Sequence, residues 1–211
     1  MRQRKVKNEA EKLAAVAAWS VPDPKSLKGR WAQLFPGKDL YLELGCGRGH
    51  FLVGHAQVHP ENAYIGAEYQ GSVALRAMEL IRDSGVSNAL CMVEQVLELS
   101  EYFDSGELSG IYLNFSDPWP KARHEKRRLT HRRYLEAYRT ALKPGGFVEI
   151  KTDNEDLFAF TLEEIKALQL NLEELSFDLH SSDLPAKNIT TQYEEKFKAL
   201  GKNINYCRIR F

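Results

Sequence analysis

A doubly wound α/β fold around a mainly parallel seven-stranded sheet is the architecture this sequence predicts, and three observations predict it. From residue 39 onward, short apolar runs alternate with stretches of helical period. Three alternating glycines, Gly45, Gly47 and Gly49, separate the first apolar run from the helical stretch that follows it. The last third of the chain adds two more apolar runs, spaced to form an antiparallel edge hairpin near the C-terminus. Strands alternating with helices form right-handed βαβ units, because a right-twisted strand followed by a right-handed helix packs back onto its sheet only in that sense.

Residues 1–38 read as a basic arm (Arg2, Arg4, Lys5, Lys7), a short helix and an irregular lead-in punctuated by Pro22, Pro24, Gly29, Pro36 and Gly37. Residues 39–211 read as the α/β domain. Asp39 to Leu44 predicts the first strand, Phe51 to His59 a helix, and Ala63 to Ala67 the second strand. Residues 72–83 predict a helix that Gly85 ends. Leu90 to Val93 and Ile111 to Phe115 are the third and fourth strands, with a helix over 131–142. Lys143-Pro144-Gly145-Gly146 predicts a turn before the fifth strand, Phe147 to Ile150. A helix over 155–168 follows, with Asp153 or Asn154 as its N-cap. Leu175 to Leu179 and Tyr206 to Arg210 complete the sheet. Ligands of such folds bind beyond the carboxyl ends of the strands, so the loops after Leu44, Ala67, Val93, Phe115 and Lys151 are where a site is expected.

With 43% hydrophobic and 27% charged residues, the 211-residue chain can build a sizeable core, which excludes disordered, collagen-like and disulfide-scaffold classes. The 29 basic and 29 acidic residues cancel, and a zero net charge taken alone speaks against a nucleic-acid partner. The distribution reverses that reading. Residues 121–133 carry seven basic side chains against Glu125, a net +6, and the arm adds +4, which leaves the rest of the chain at −10. Residues 153–178 hold eight carboxylates against Lys166. A chain so polarised steers a polyanion to one face and repels it from another.

No apolar run approaches the roughly 18 residues of a spanning helix, so no membrane partner is expected. Cys46, Cys91 and Cys207 are too scattered for a disulfide framework or a zinc site, and no metal is expected. The N-terminus starts basic, but its apolar stretch, Leu13 to Ala18, is shorter and weaker than a secretory core. A cytoplasmic protein is the expectation; monomer and homodimer both stay open.

Glu43-Leu44-Gly45-Cys46-Gly47-Arg48-Gly49-His50 departs from the dinucleotide fingerprint, which needs glycine where His50 stands. Its E-x-G-x-G-x-G spacing resembles motif I of the S-adenosylmethionine-dependent methyltransferases with a Rossmann-like fold. That cofactor carries a sulfonium and an ammonium in place of a pyrophosphate, so an acid such as Glu43 suits it. Glu68, closing the second strand, suits the ribose hydroxyls. Glu94 or Gln95, after the third strand, is offered to the adenine edge.

The stretch from Asn114 to Leu129, NFSDPWPKARHEKRRL, is the most informative. Asp117 lies just past the fourth strand, where methyl transfer would occur. Pro118 and Pro120 stiffen the loop around Trp119, and the arginine forks beyond suit phosphate oxygens. The motif N-F-S-D-P-W-P-K-x-R-H-x-K-R-R-L resembles the bacterial tRNA (guanine-N7-)-methyltransferases, the TrmB family. Lys151-Thr152-Asp153-Asn154 and Thr191-Gln192-Tyr193-Glu194-Glu195-Lys196-Phe197 share the resemblance, which runs from about residue 29 to the C-terminus. It implies methylation of the variable-loop guanosine at tRNA position 46, with S-adenosylmethionine as cofactor and tRNA as partner. It also implies that Glu43, Glu68 and Asp117 are cofactor-site acids. Lys121, Asp153, Thr191, Gln192, Tyr193 and Glu194 fall at substrate-binding positions, and Arg123, His124, Lys126, Arg127 and Arg128 at RNA contacts. The family's usual T-E-Y-E is T-Q-Y-E here, with one carboxylate fewer near the substrate. Asp117 is the catalytic candidate, as a carboxylate near the cation that forms or as the holder of the guanine edge. Methyl transfer to another RNA and non-catalytic RNA binding are the alternatives.

Overall fold

The computed structural model describes residues 8–184 and 188–211. The basic arm, with Arg2, Arg4, Lys5 and Lys7, lies outside the described residues.

Seven strands form one sheet: β1 (Leu40–Leu44), β2 (Ala63–Ala67), β3 (Ala89–Met92), β4 (Leu108–Asn114), β5 (Leu142–Thr152), β6 (Asn171–Ser176) and β7 (Asn205–Arg210). Their order across the sheet is β3-β2-β1-β4-β5-β7-β6. β1 to β5 pair in parallel, while β7 runs antiparallel to both β5 and β6, as the hairpin reading expected. Six α-helices accompany it among the described residues: α1 (Glu9–Ala15), α2 (His50–Val58), α3 (Gly71–Ser84), α4 (Arg132–Ala141), α5 (Glu155–Ala167) and α6 (Gln192–Ala199).

Side chains alternate across the sheet with period two, and each face builds its own core. Leu40, Leu42, Leu44, Ile65, Met92, Ile111, Leu113, Val148 and Ile150 join Tyr138 of α4 and Phe158 of α5 on one face. Tyr64, Cys91, Tyr112 and Phe147 join Phe51 and Leu52 of α2 and Leu75 and Met78 of α3 on the other. The three cysteines are free and buried. No helix among the described residues is long and apolar enough to cross a membrane.

Two expectations are corrected, and one alternative is settled. Residues 143–146 belong to β5, whose pairing with β4 begins at Leu142 and shifts register before Gly110. Gly145 bends the strand with φ +79°, a kink that Lys-Pro-Gly-Gly mimics as a turn in sequence. The sixth strand ends at Ser176, so Phe177 to Leu179 leave the sheet. Asn154 caps α5 by accepting the Leu157 N–H at 2.7 Å, which frees Asp153 from that duty.

Residues of the lead-in pack into the core of the sheet. Trp31 is almost fully buried, stacks on Phe103 with ring centroids 4.9 Å apart and donates its indole N–H to the Tyr102 carbonyl at 2.7 Å. Val21 and Phe35 join the same core. Trp31→Ala should therefore cost about 3–5 kcal/mol, as burial of a large aromatic implies. Urea unfolding checks it, and a loss below about 1 kcal/mol would show that residues 20–38 are an appendage.

Candidate functional site

The carboxyl ends of the parallel strands meet along one edge, and the predicted residues gather there. After β1 the glycines take left-handed conformations, with φ of 76°, 57° and 79° at Gly45, Gly47 and Gly49. Gly45 and Cys46 both donate their N–H to the Ala67 carbonyl, at 2.8 and 3.1 Å, which folds the loop over the end of β2. At Gly49 a Cβ would stand 3.0 Å from that of Ala77, so glycine alone lets α2 start this close to α3. A Cβ at Gly47 would meet nothing within 4 Å, and the loop keeps an open face there.

Glu43 lies beneath this loop. Asn114 Nδ2, on β4, donates to its Oε1 at 2.9 Å, and Oε2 is buried with no partner among the described residues. Burial pushes its pKa up to about 8, against the opposing pull of Asn114 and Lys151. Glu68, also buried, accepts the Gln70 N–H at 2.8 Å. Its pKa is raised by burial, lowered by the backbone N–H groups of Gln70, Gly47 and Tyr69, and raised again by the nearby charge of Asp117. A carboxyl with a free, buried oxygen beside an open glycine loop fits a ligand that carries positive charge. After β3, Glu94 is half-buried and accepts the Tyr102 hydroxyl at 3.1 Å, while Gln95 is exposed.

Asp117 is exposed on the loop after β4. Phe115 and Trp119, which flank it, hold φ of 51° and 43°, a region that costs a bulky residue of order 1–3 kcal/mol. Two clamps hold this shape. The Phe115 N–H donates to the Lys151 carbonyl at 2.8 Å. Arg128 donates to the Pro118 carbonyl at 3.0 Å and the Trp119 carbonyl at 3.3 Å while its guanidinium lies over Phe160 at 4.4 Å. Arg128, predicted at an RNA contact, is thus half-buried and committed to the loop.

The basic stretch divides by partner. Arg132 pairs with Glu164 at 2.6 Å, and Arg133 lies over Tyr134 and 4.0 Å from Glu98. Arg127 covers the Trp119 ring at 4.9 Å, and His124 meets that ring edge-on at 5.8 Å. Lys121, Arg123 and Lys126 are exposed and make no ion pair among the described residues. Beyond β5, Asp153 pairs with Lys202 at 3.0 Å.

Thr191 to Glu194, distant along the chain, arrive at the same edge on α6. Thr191 and Glu194 form a capping box, in which the Thr191 hydroxyl accepts the Glu194 N–H at 2.9 Å. Gln192 and Tyr193 are left exposed, and the Tyr193 ring stands 6.0 Å from Phe115. Sequence reasoning missed the group that holds this segment. The ammonium of Lys151 is buried and bonded to Asn188, Ile189 and Glu194. The sequence signal was Lys151 itself, a lysine directly after the apolar end of the predicted fifth strand.

Comparison with known proteins bears on this arrangement. Residues 38–207 match a family described as "Putative methyltransferase". The tRNA (guanine-N(7)-)-methyltransferase of Geobacillus kaustophilus is 41% identical over 209 residues, covering 98% of this chain and 95% of its own. Its namesake from Streptococcus agalactiae serotype III is 40% identical over 212 residues, covering both chains completely. This chain belongs to the bacterial tRNA (guanine-N7-)-methyltransferase family. The fold agrees with a solved methyltransferase structure, that of the 16S rRNA methyltransferase KamB. It superposes with a TM-score of 0.63 at 10% identity, covering 87% of this chain and 93% of that one.

Glu43 gives a pH-dependent handle on this methyltransferase site. In the unfolded chain the carboxyl ionises near 4.5, and in the folded chain near about 8. Between those values the folded state holds the extra proton, so stability falls as pH rises, and flattens above about 8. Glu43→Gln removes that loss. The variant should gain on the parent by up to about 1.4 kcal/mol per pH unit over this window. Urea unfolding of the two proteins without ligand, from about pH 5 to about pH 8, measures it; a pH-independent difference would mean Glu43 titrates normally.

Proposed function

We propose that this chain transfers the methyl group of S-adenosylmethionine to N7 of a tRNA guanosine, and that the guanosine is the variable-loop residue at position 46. The supporting observation is the convergence, on one sheet edge, of two buried acids, an exposed carboxylate on a clamped loop and a basic strip without ion pairs among the described residues. Relatives that match along the whole chain and carry this activity in their names agree with it.

When bound, the cofactor supplies an electrophilic methyl on a sulfonium. Glu43 and Glu68 would hold its cationic and ribose parts, with the open face of Gly45, Gly47 and Gly49 beside them and Glu94 or Gln95 toward the adenine. Guanine N7 offers a lone pair and no proton, so no side chain has to act as a base. The protein's work is orientation, which supplies a large share of such rates, and placement of charge. Asp117 sits where a carboxylate can offset the positive charge gained by the base or hold its N1 and N2 edge. Lys121, Asp153, Gln192 and Tyr193 border the same mouth and are assigned to the substrate. Arg123, His124, Lys126 and Arg127 are assigned to the RNA, whose target base leaves its tertiary contacts to enter. Access to tRNA and donor makes the cytoplasm the place of action.

Asp117→Ala should lower turnover by about 100-fold or more, the scale of a lost electrostatic group, with tRNA affinity within about threefold. Radiolabelled methyl transfer and filter binding measure the two, and turnover near that of the parent would remove Asp117 from the mechanism. Mapping the modified nucleoside tests the position.

The basic stretch gives a second test. Arg123→Gln with Lys126→Gln should flatten the salt dependence of tRNA binding by about one unit of slope per lost phosphate contact. Arg128→Gln should instead lower turnover, because its guanidinium holds the Asp117 loop. Equal effects of both changes on the slope would place Arg128 on the RNA.

A further inference from the structure

The Lys151 ammonium has three donors, and all three end on one segment: the Asn188 side chain, the Ile189 carbonyl at 3.0 Å and Glu194 Oε2 at 3.1 Å. Its side chain is 2% exposed and that of Glu194 0%. Glu194 also accepts from the Asn188 amide and, at 3.3 Å, from the Thr191 N–H, and His180 Nε2 stands 3.5 Å from its Oε1. Phe51 lies 5.1 Å from the ammonium, on the α2 side. The Lys151 carbonyl accepts the Phe115 N–H, which begins the Asp117 loop.

A buried ion pair is a poor device for stability, since desolvation of both ions offsets most of their attraction. Here burial lowers the lysine pKa, against the pull of Glu194. The apolar anchor of the segment is Ile189, which packs on the α2-side core and against the bare Cα of Gly54. Glu194 and Thr191 turn their polar atoms inward, so Gln192 and Tyr193 are the members of this motif that face outward.

We propose that Lys151 is a positioning residue, whose buried pair with Glu194 sets the 188–194 segment, and with it Gln192 and Tyr193, in register with the Asp117 loop. This rests on the methyltransferase reading above. Glu194 in this chain organises the substrate wall from behind and does not touch the substrate. Because phosphate contacts dominate tRNA affinity, loosening this wall affects the chemical step more than binding.

The test separates position from stability. Lys151→Met leaves Glu194 buried without its cation, and should lower both the melting temperature and turnover. Lys151→Met with Glu194→Gln removes both charges and keeps the capping geometry. This double variant should regain the parent's melting temperature to within a few degrees and bind tRNA and S-adenosylhomocysteine within about threefold of the parent. Its kcat should stay down by about 100-fold, the cost of a displacement near 1 Å. A folded double variant with the parent's kcat overturns the proposal. If neither variant folds by circular dichroism, Asn188→Ala removes one acceptor without stranding a charge; a severalfold fall in kcat at unchanged tRNA affinity supports it, and an unchanged kcat overturns it. Parent enzyme runs in the same assay: no methyl on tRNA there would fail the functional reading itself, whereas methyl transfer by parent and double variant alike fails this inference alone.

Discussion

The pairing of Asn114 on β4 with Lys151 on β5 is the contact on which the site depends. Three separate structures are fixed by that one rung. The Asn114 side chain reaches sideways to Glu43, under the glycine loop. The Lys151 carbonyl receives the first N–H of the Asp117 loop. The Lys151 side chain reaches the other way to α6. Because side chains alternate along a strand, a slip of one residue would turn both groups to the opposite face and separate all three. The inner strands make such a slip costly, since Leu113 and Ile150, next to this rung, are buried in the opposite core.

The edge that results concentrates unfavourable groups. Glu43, Glu68, Lys151 and Glu194 are buried charges or potential charges, and Phe115 and Trp119 hold left-handed backbone. Neither feature stabilises a fold by itself. Two hydrophobic cores, one on each face of the sheet, supply what the edge lacks. Arg128 belongs to the same balance: it satisfies two carbonyls of a strained loop and rests its guanidinium on Phe160 of α5, which ties the loop to a helix already seated in the core.

How much of this the sequence disclosed follows from range along the chain. Strand period, the glycine run and the Gly85 stop are local signals, and each matched the structure to within a few residues. The Lys-Pro-Gly-Gly segment failed because its local signature is that of a turn, while pairing across the sheet keeps it in β5. Trp31 was invisible as a core residue because its partners, Tyr102 and Phe103, lie some seventy positions away. The buried role of Lys151 is hidden in the sequence, since lysine is a surface residue by habit and nothing near it in sequence reveals Asn188 or Glu194. Arg128 and Arg132 were read by charge, and charge alone cannot tell a phosphate contact from a clamp.

That last point reshapes the meaning of the zero net charge. The basic stretch and the acidic 153–178 region are joined where Arg132 pairs with Glu164, so part of the cancellation is an internal contact. Asp153 is likewise matched by Lys202, and Glu173 by Arg208 and Arg210. What remains for a polyanion is narrower than the sum over 121–133: Lys121, Arg123 and Lys126 in the open, with Arg127 on the Trp119 face. These four cations border the loop that carries Asp117, whereas the cations spent internally flank α4 and β7. On the proposed reading, the field offered to RNA is therefore strongest where the loop presents Asp117, and a positive strip beside that carboxylate would orient a phosphate backbone past the site while leaving the base to enter it.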